Sequence, residues 1–184
     1  EVLGGGSGGR YYADGEDTIH VVPDSRNLPT EFTESRFPFI VERLGLAVDS
    51  GGAGRYRGGL GYEKHIRMLK DAHFALADAE PVAAGQIIRI RTTGGGGWGD
   101  PRERPYDDVE RDLRWGKVSI EGARASYGVL ASGNQHEIVI DTAGSDALRA
   151  QLRADRGPQP FFDRGPGYAQ LCSTGDRANA LDWL

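Results

Sequence analysis

The sequence contains one cysteine, Cys172. That excludes an internal disulfide and any zinc site built from several thiolates, and it leads us to expect a reduced, cytoplasmic compartment. Basic residues are not in excess: 22 Lys and Arg stand against 27 Asp and Glu, a net charge of −5. A nucleic-acid-binding face is normally basic, so that class of partner is not expected. No stretch of about 18 apolar residues occurs, and nothing reads as a bilayer span. Histidines are few and scattered, at His20, His65, His73 and His136. Only His20 with Asp24 reads as a pair that could seed a metal site, and two ligands fall short of the three or four such a site needs. There is no GK[ST] after a glycine loop and no G-x-S-x-G nucleophile elbow. The only methionine is Met68, so Glu1 is not an encoded start and the sequence reads as a fragment or a processed subunit. Glu1 is also the wrong residue for an N-terminal nucleophile, which would be Ser, Thr or Cys.

What the sequence has in excess is glycine, 28 of 184 residues, about twice the usual share. The glycines gather in three clusters, at 4–9, 51–61 and 94–99. Flexible linkers are rich in Gly and Ser and poor in aromatics. Here apolar or aromatic residues flank all three clusters, and serine is scarce around two of them. The stretch TTGGGGWGDP, residues 92–101, poses the question most sharply, because it follows directly on a strand pattern. Four consecutive glycines cost backbone entropy and bring no side chain to pack. They are useful only where backbone must pass close to something, either a ligand or another stretch of chain.

Hydrophobic periodicity places the elements. From Pro38 to Val48 the apolar residues Ile40, Leu44, Leu46 and Val48 share one parity, with Glu42 as the exception, and this predicts a half-buried strand. Residues 62–69 alternate Tyr62, Lys64, Ile66 and Met68 with Glu63, His65 and Arg67. With a turn at Lys70 and Asp71, and with Phe74 and Leu76 continuing the pattern, this predicts a hairpin. Residues 86–93 alternate Ile88 and Ile90 with Arg89 and Arg91, a further strand that leads into the glycine loop. The period then changes. Asp107 and Glu110 fit a capping box, Val109 and Leu113 share a helix face, and Gly116 stands where a helix would end. Ser119 opens a second helix ending at Gly128, residues 136–140 form a short strand, and residues 145–154 form a third helix. The overall expectation is an α+β fold: a β-rich unit, a short helical hairpin, and an extended carboxy-terminal tail. The domain boundaries expected are 1–155 and 156–184.

The candidate binding residues lie at the glycine clusters. Gly94, Gly95, Gly96 and Gly97 can bring backbone N–H groups against a ligand, or simply let two chains cross under Trp98. Arg55 and Arg57 interleave with the second cluster and could hold a carboxylate or phosphate, or equally make surface ion pairs. Arg26 and Asn27 belong to the polar segment 24–38, which alternatively reads as a solvated loop followed by one helical turn. Asp100, between Gly99 and Pro101, orients a donor or anchors the turn. These residues form no complete catalytic set.

The order of these stretches carries a resemblance. GGGSGGR, DSRNLPTEFTESRFPFIVER, DSGGAGRYRGGLG, a strand into TTGGGGWGDP, and a helix followed by KVSIEGARASYGV occur in succession. This order, from about residue 4 to about residue 129, resembles the carboxy-terminal part of the hydantoinase B/oxoprolinase family. That family comprises B or β chains of ATP-dependent ring-opening amidohydrolases, with subunits of acetone- and acetophenone-carboxylase type. The resemblance implies a partner A chain, an actin-like ATPase, that binds ATP and phosphorylates the amide or enol oxygen. It also implies an upstream part of the B chain bearing the ligands for a divalent metal, so that no metal ligand is expected in this sequence. The expected assembly is a hetero-oligomer, with neither nucleic acid nor membrane as partner. Within it Arg26, Asn27, Arg55, Arg57, Gly94, Gly95, Gly96, Gly97 and Asp100 would line the substrate site. Three roles are then open: cyclic-amide hydrolysis, carboxylation of a ketone, or a structural subunit without site residues. The family also implies a longer segment between Ala77 and Gln86 than the short connection present.

Overall fold

The structure, a computed structural model, describes residues 4–20, 27–72 and 81–155. The chain divides into two units, Glu1–Leu152 and Arg153–Leu184; apart from the last three residues of the final helix, the described part belongs to the first. The elements run α1 (Thr30–Arg36), β1 (Phe39–Leu46), β2 (Tyr62–Met68), β3 (Ile87–Arg91), α2 (Tyr106–Arg114), α3 (Ile120–Tyr127), β4 (Leu130–Asn134), β5 (Glu137–Asp141) and α4 (Thr142–Asp155). This is the α+β arrangement expected, although one helix precedes the first sheet and a β4–β5 hairpin lies between α3 and α4. The tail from residue 156 lies outside the described residues.

β1, β2 and β3 form an antiparallel sheet with β2 in the centre. Lys64, Ile66 and Met68 of β2 are buried on one face, while Glu63, His65 and Arg67 alternate onto the other. Ile88 and Ile90 of β3 sit opposite Ile66 and Lys64, extending the apolar side. The single parity expected for β1 is corrected. Val41 pairs with Ile66 and Arg43 with His65, so Glu42 is an extra residue at a bulge. A bulge reverses the facing of everything beyond it. Ile40 therefore pairs with Arg67 on the polar side, whereas Leu44 pairs with Lys64, and both are exposed at the sheet edge. The polar exception in the sequence pattern was the bulge itself. The expected hairpin partner carrying Phe74 and Leu76 lies outside the described residues; the partners β2 has are β1 and β3.

α2 does not use the capping box. Pro105 precedes its first turn and no side chain caps it. The fixed φ of proline, −53° here, already delivers the chain into the helix. Asp107 is therefore inside the first turn, where a negative charge favours the helix N-terminus, and Glu110 turns forward to Arg114 at 2.6 Å. Ser119 caps α3 as expected, its hydroxyl accepting from the Gly122 N–H at 2.9 Å. Gly116 and Gly128 end α2 and α3 in the left-handed region, at φ 63° and 62°, which glycine adopts without strain. Val109, Leu113, Val118, Ala123, Tyr127 and Val129 form the core between these helices, closed by Ile138 and Ile140 of the β4–β5 hairpin. β4 was not expected: its sequence, LASGN, has no alternating apolar pattern. α4 begins three residues ahead of the expected start, and its Ser145 hydroxyl accepts from the Leu130 N–H at 2.8 Å.

Candidate functional site

The three glycine clusters meet. Gly6 N–H donates to the Thr93 carbonyl, Gly9 N–H to Gly96, Gly52 N–H to Gly95, Gly59 N–H to Ser7 and Gly95 N–H to Gly59, all between 2.7 and 3.0 Å. Segment 14–18 joins through Gly15 N–H to Arg57 and Thr18 N–H to Leu60, and Tyr56 and Trp98 exchange both backbone bonds. The result is a layer of extended backbones packed directly on one another. A Cβ on Gly59 would overlap the Glu16 carbonyl, one on Gly58 the Gly95 carbonyl, and one on Gly95 the Ser7 carbonyl. The four-glycine run is thus used for backbone-on-backbone packing.

A buried ion-pair seam runs beside this layer. Arg104 is fully buried and forks onto Asp14, with both nitrogen–oxygen distances 2.7 Å, while Nη2 also donates to Asp112 at 2.8 Å. Arg57 lies 3.3 Å from Asp17 and 3.4 Å from Asp112. Lys117 closes the seam on Asp17 at 2.7 Å. Three carboxylates thus meet three cations. Backbone amides assist: Arg57 N–H donates to Asp14 and Leu60 N–H to Asp17. Burial opposes charge at Asp14, yet Arg104 and Arg57 hold its carboxyl below the ordinary range. Asp17 is lowered likewise, against its burial, by Lys117, the Leu60 amide and Arg57. At Asp112 burial wins over the attraction of Arg104 and Arg57, and its carboxyl is raised. An open cleft of about 300 Å³ lies over the seam, rimmed by Arg111, Trp115 and Glu16. Shifted acids can mark an active site, but buried ion-pair networks shift them as well. Here every carboxylate of the seam already has a cation.

The sequence candidates are dispersed around these features. Arg57 is buried and committed to Asp17, Asp112 and the Gly58 carbonyl. Arg55 is half exposed beside Tyr56, with a loose ion pair to Glu103 at 3.8 Å. Asp100 caps the 3-10 turn Pro101–Glu103 by accepting from the Arg102 N–H at 2.9 Å. Gly94, Gly95 and Gly97 are pressed against Ser50, Ser7 and Ala53 respectively, whereas Gly96 faces open space. Asn27 borders a separate cleft of about 260 Å³ with Thr18, Thr30, Leu44 and Tyr62. Arg26 lies outside the described residues. Sequence reasoning missed Asp14, Asp17, Arg104 and Asp112. One signal was available: Asp112 falls between Val109 and Leu113 on the apolar face of α2, where a lone carboxylate needs a buried cation.

Among the described residues no group of three or more His, Cys, Asp or Glu side chains is disposed to hold a metal ion. No helix among them is long and apolar enough to cross a membrane.

Comparison with known proteins gives the arrangement a context. The profile of the Hydantoinase B/oxoprolinase family matches residues 1–80. The chain is 33% identical over 162 residues to caprolactamase subunit beta of Pseudomonas jessenii, an alignment covering 65% of this chain and 27% of that subunit. The crystal structure of the ATP-dependent caprolactamase from Pseudomonas jessenii superposes with a TM-score of 0.57 at 26% identity, covering 81% of this chain and 33% of that one. A nucleotide-free acetone carboxylase structure shares the fold, with a TM-score of 0.66 at 21% identity over 85% of this chain and 31% of that one. The chain therefore spans about a third or less of the length of these relatives. The ordered glycine motifs, their interlocked packing and these likenesses agree: residues 1–80 belong to the hydantoinase B/oxoprolinase family, and the likeness to a β subunit runs on over 162 residues.

Proposed function

We propose that this chain is part of the B subunit of an ATP-dependent amidohydrolase, an enzyme that opens a cyclic amide after a partner subunit has phosphorylated it. The observation that carries this reading is the 33% identity to caprolactamase subunit beta over 162 residues. Attack of water on a ring amide is slow because the leaving nitrogen and the carbonyl oxygen both resist charge. Phosphorylation of that oxygen removes the second obstacle, and the remaining task is to hold the activated ring and aim the water. ATP supplies the phosphoryl group and is proposed to bind on the A-type ATPase partner. This chain contributes a rigid wall. The glycine layer fixes Trp98 and Arg55 at one end, and the exposed guanidinium of Arg55 can face an anionic oxygen. Arg57 acts as a positioning residue, through Asp17 and Asp112. Asn27, Asp100 and Arg26 complete the proposed contacts.

The test uses the assembled enzyme, purified through a tag on this chain. ADP release is measured with lactams and hydantoins, and separately with ketones plus bicarbonate. Ring-dependent ADP release with the open-chain acid as product supports the reading. Release that requires a ketone and bicarbonate replaces it with carboxylation. Arg55→Ala is expected to lower kcat/KM by about 10- to 100-fold, the scale of one lost charge-assisted contact, with assembly intact. Unchanged turnover removes Arg55 from the site, and leaves this chain as a structural part of the subunit.

A further inference from the structure

Sixteen glycines lie in the interlocked segments 4–15, 51–61 and 94–97, and thirteen are there by steric necessity. A Cβ on any of these would come closer than 3.0 Å to neighbouring atoms, nearly always backbone, and one on Gly5 would press on the Thr93 carbonyl at 3.0 Å. The two that meet no such obstacle are Gly8 and Gly96. A Cβ on Gly8 would meet only the Gly96 carbonyl oxygen at an ordinary 3.8 Å, and one on Gly96 would meet nothing within 4 Å. Both residues are exposed. They are neighbours, since Gly9 N–H donates to the Gly96 carbonyl. The only positions in the layer where glycine is not explained by this chain's own packing therefore form one open edge.

A second observation lies beside that edge. Tyr11 is 71% exposed, Tyr12 57% and Trp98 47%. Tyr11 and Tyr12 pack edge to face at 4.7 Å, and Trp98 packs on Tyr56 at 6.1 Å, with Arg55 alongside. The backbone connects them, because Gly9 precedes the turn carrying Tyr11 and Tyr12 and is wedged against the Tyr56 and Trp98 backbones. Tyrosine, tryptophan and arginine are enriched at protein interfaces relative to the rest of the surface and dominate their binding energy.

We infer that the Gly8–Gly96 edge is a docking surface for an extended, glycine-containing segment of another polypeptide, which continues the backbone-on-backbone layer while the aromatic residues clasp its flank. The occupant is a backbone because the surface offers no side-chain pocket at its centre, only bare main chain next to main chain already packed in this way. The matched subunit of Pseudomonas jessenii carries more than two thirds of its length outside the aligned part, so polypeptide of this family is available to fill such an edge. The inference rests on geometry and needs no assumption about the reaction.

Amide hydrogen exchange tests it, measured by mass spectrometry on peptides covering 4–10 and 92–98, in the isolated chain and in the assembled enzyme. We expect exchange at these peptides to slow by about 100-fold or more on assembly. Gly8→Ala and Gly96→Ala should leave the isolated chain's Tm within about 2 °C, because their Cβ atoms enter open space. In the assembled enzyme the double variant should lose the added protection and release the partner polypeptide. Equal exchange in the two states overturns the inference, as does protection that survives the double substitution. Protection already present in the isolated chain also overturns it. If deleting residues 156–184 abolishes that protection, the occupant is this chain's own tail; if it tracks a dimer in ultracentrifugation, the occupant is a second copy.

Discussion

The glycine layer and the helical unit lie side by side, and opposite means hold them together. In the layer, extended segments approach until carbonyl oxygens rest where side chains would otherwise stand. Its bonds are backbone to backbone, and its specificity comes from absent atoms. In the helical unit, an apolar cluster between α2 and α3 supplies the burial. The seam at its border adds three carboxylates matched to three cations. The difference predicts two kinds of fragility. The layer tolerates no added carbon at most positions, while the seam tolerates added carbon better than a missing charge. The two meet at Arg57, whose backbone belongs to the layer and whose guanidinium belongs to the seam.

The largest effect should come from the smallest substitution. Gly59→Ala adds one methyl group where the Glu16 carbonyl already stands, with the Ser7 amide beside it. Neither obstacle is a side chain that can rotate away. Overpacking of ordinary cores costs about 1–3 kcal/mol because side chains repack. Here only backbone can move, and we expect more than about 4 kcal/mol, enough to abolish cooperative folding. Loss of the thermal transition, followed by circular dichroism, checks this. A Gly59→Ala chain that melts within a few degrees of the parent would show the layer to be looser than its bonds indicate.

The next effect belongs to the seam. Arg104→Met keeps most of the volume and removes the charge, leaving Asp14 and Asp112 without their shared partner. An uncompensated buried carboxylate costs about 3–5 kcal/mol. The exposed pair Arg114–Glu110 on α2, broken by Arg114→Met, should cost only about 0.3–0.5 kcal/mol. Urea denaturation of both variants checks the contrast. Similar midpoints would mean that the seam is wetter than its geometry shows.

Acid probes the same seam with less disturbance. Asp14 and Asp17 have folded-state pKa values below the ordinary 3.8. Near and below that pH the unfolded chain binds more protons, so their contribution is present above about pH 4 and is lost as pH falls through the folded values. Asp112 acts in the opposite sense. Its folded pKa is raised, so the folded chain keeps the proton longer and stability declines as pH rises from the ordinary value to the folded one. Asp17→Asn should flatten the acid limb of a stability–pH curve, and Asp112→Asn should remove the opposing slope above about pH 4. An acid limb unchanged by Asp17→Asn would mean that Lys117 and Arg57 do not hold its charge.

These two regions also differ in how far they can be read from sequence. The strands β2 and β3, the Ser119 cap and the ends of α2 and α3 were legible because each is set by residues within a few positions. The bulge at Glu42 was visible only as a break in parity, and its meaning required the register against His65 and Ile66. The glycine clusters announced close backbone approach but not its object, since whether they face a ligand or one another depends on contacts between residues 6, 59 and 95. The seam was least legible. Asp14, Arg57 and the pair Arg104 and Asp112 come from three distant stretches of sequence and follow no period, and charged residues are ordinarily surface residues. Arg55 and Arg57, two positions apart and read as equivalent, part company in the fold: Arg55 stays half exposed beside Glu103, while Arg57 is buried in the seam.

The smallest predicted effect lies at the boundary of core and seam. The Tyr127 hydroxyl is buried and, among the described residues, has no hydrogen-bond partner. Burial, only partly relieved by Arg104, pushes its ionisation up to about 12, so the phenol stays neutral across the working range. A buried donor without a partner costs the free energy of its lost hydration, and deleting it can be neutral or stabilising. Tyr127→Phe keeps the ring in the cluster of Val109, Leu113 and Val129 and beneath Arg104, 6.0 Å away. The expected outcome is a change between zero and about 1 kcal/mol toward greater stability, read as a small rise in the urea midpoint. A loss of stability instead would show that the hydroxyl is paired in the folded protein. The core would then share the seam's dependence on polar partners, and the contrast between apolar packing and charge matching within the helical unit would be narrower than drawn.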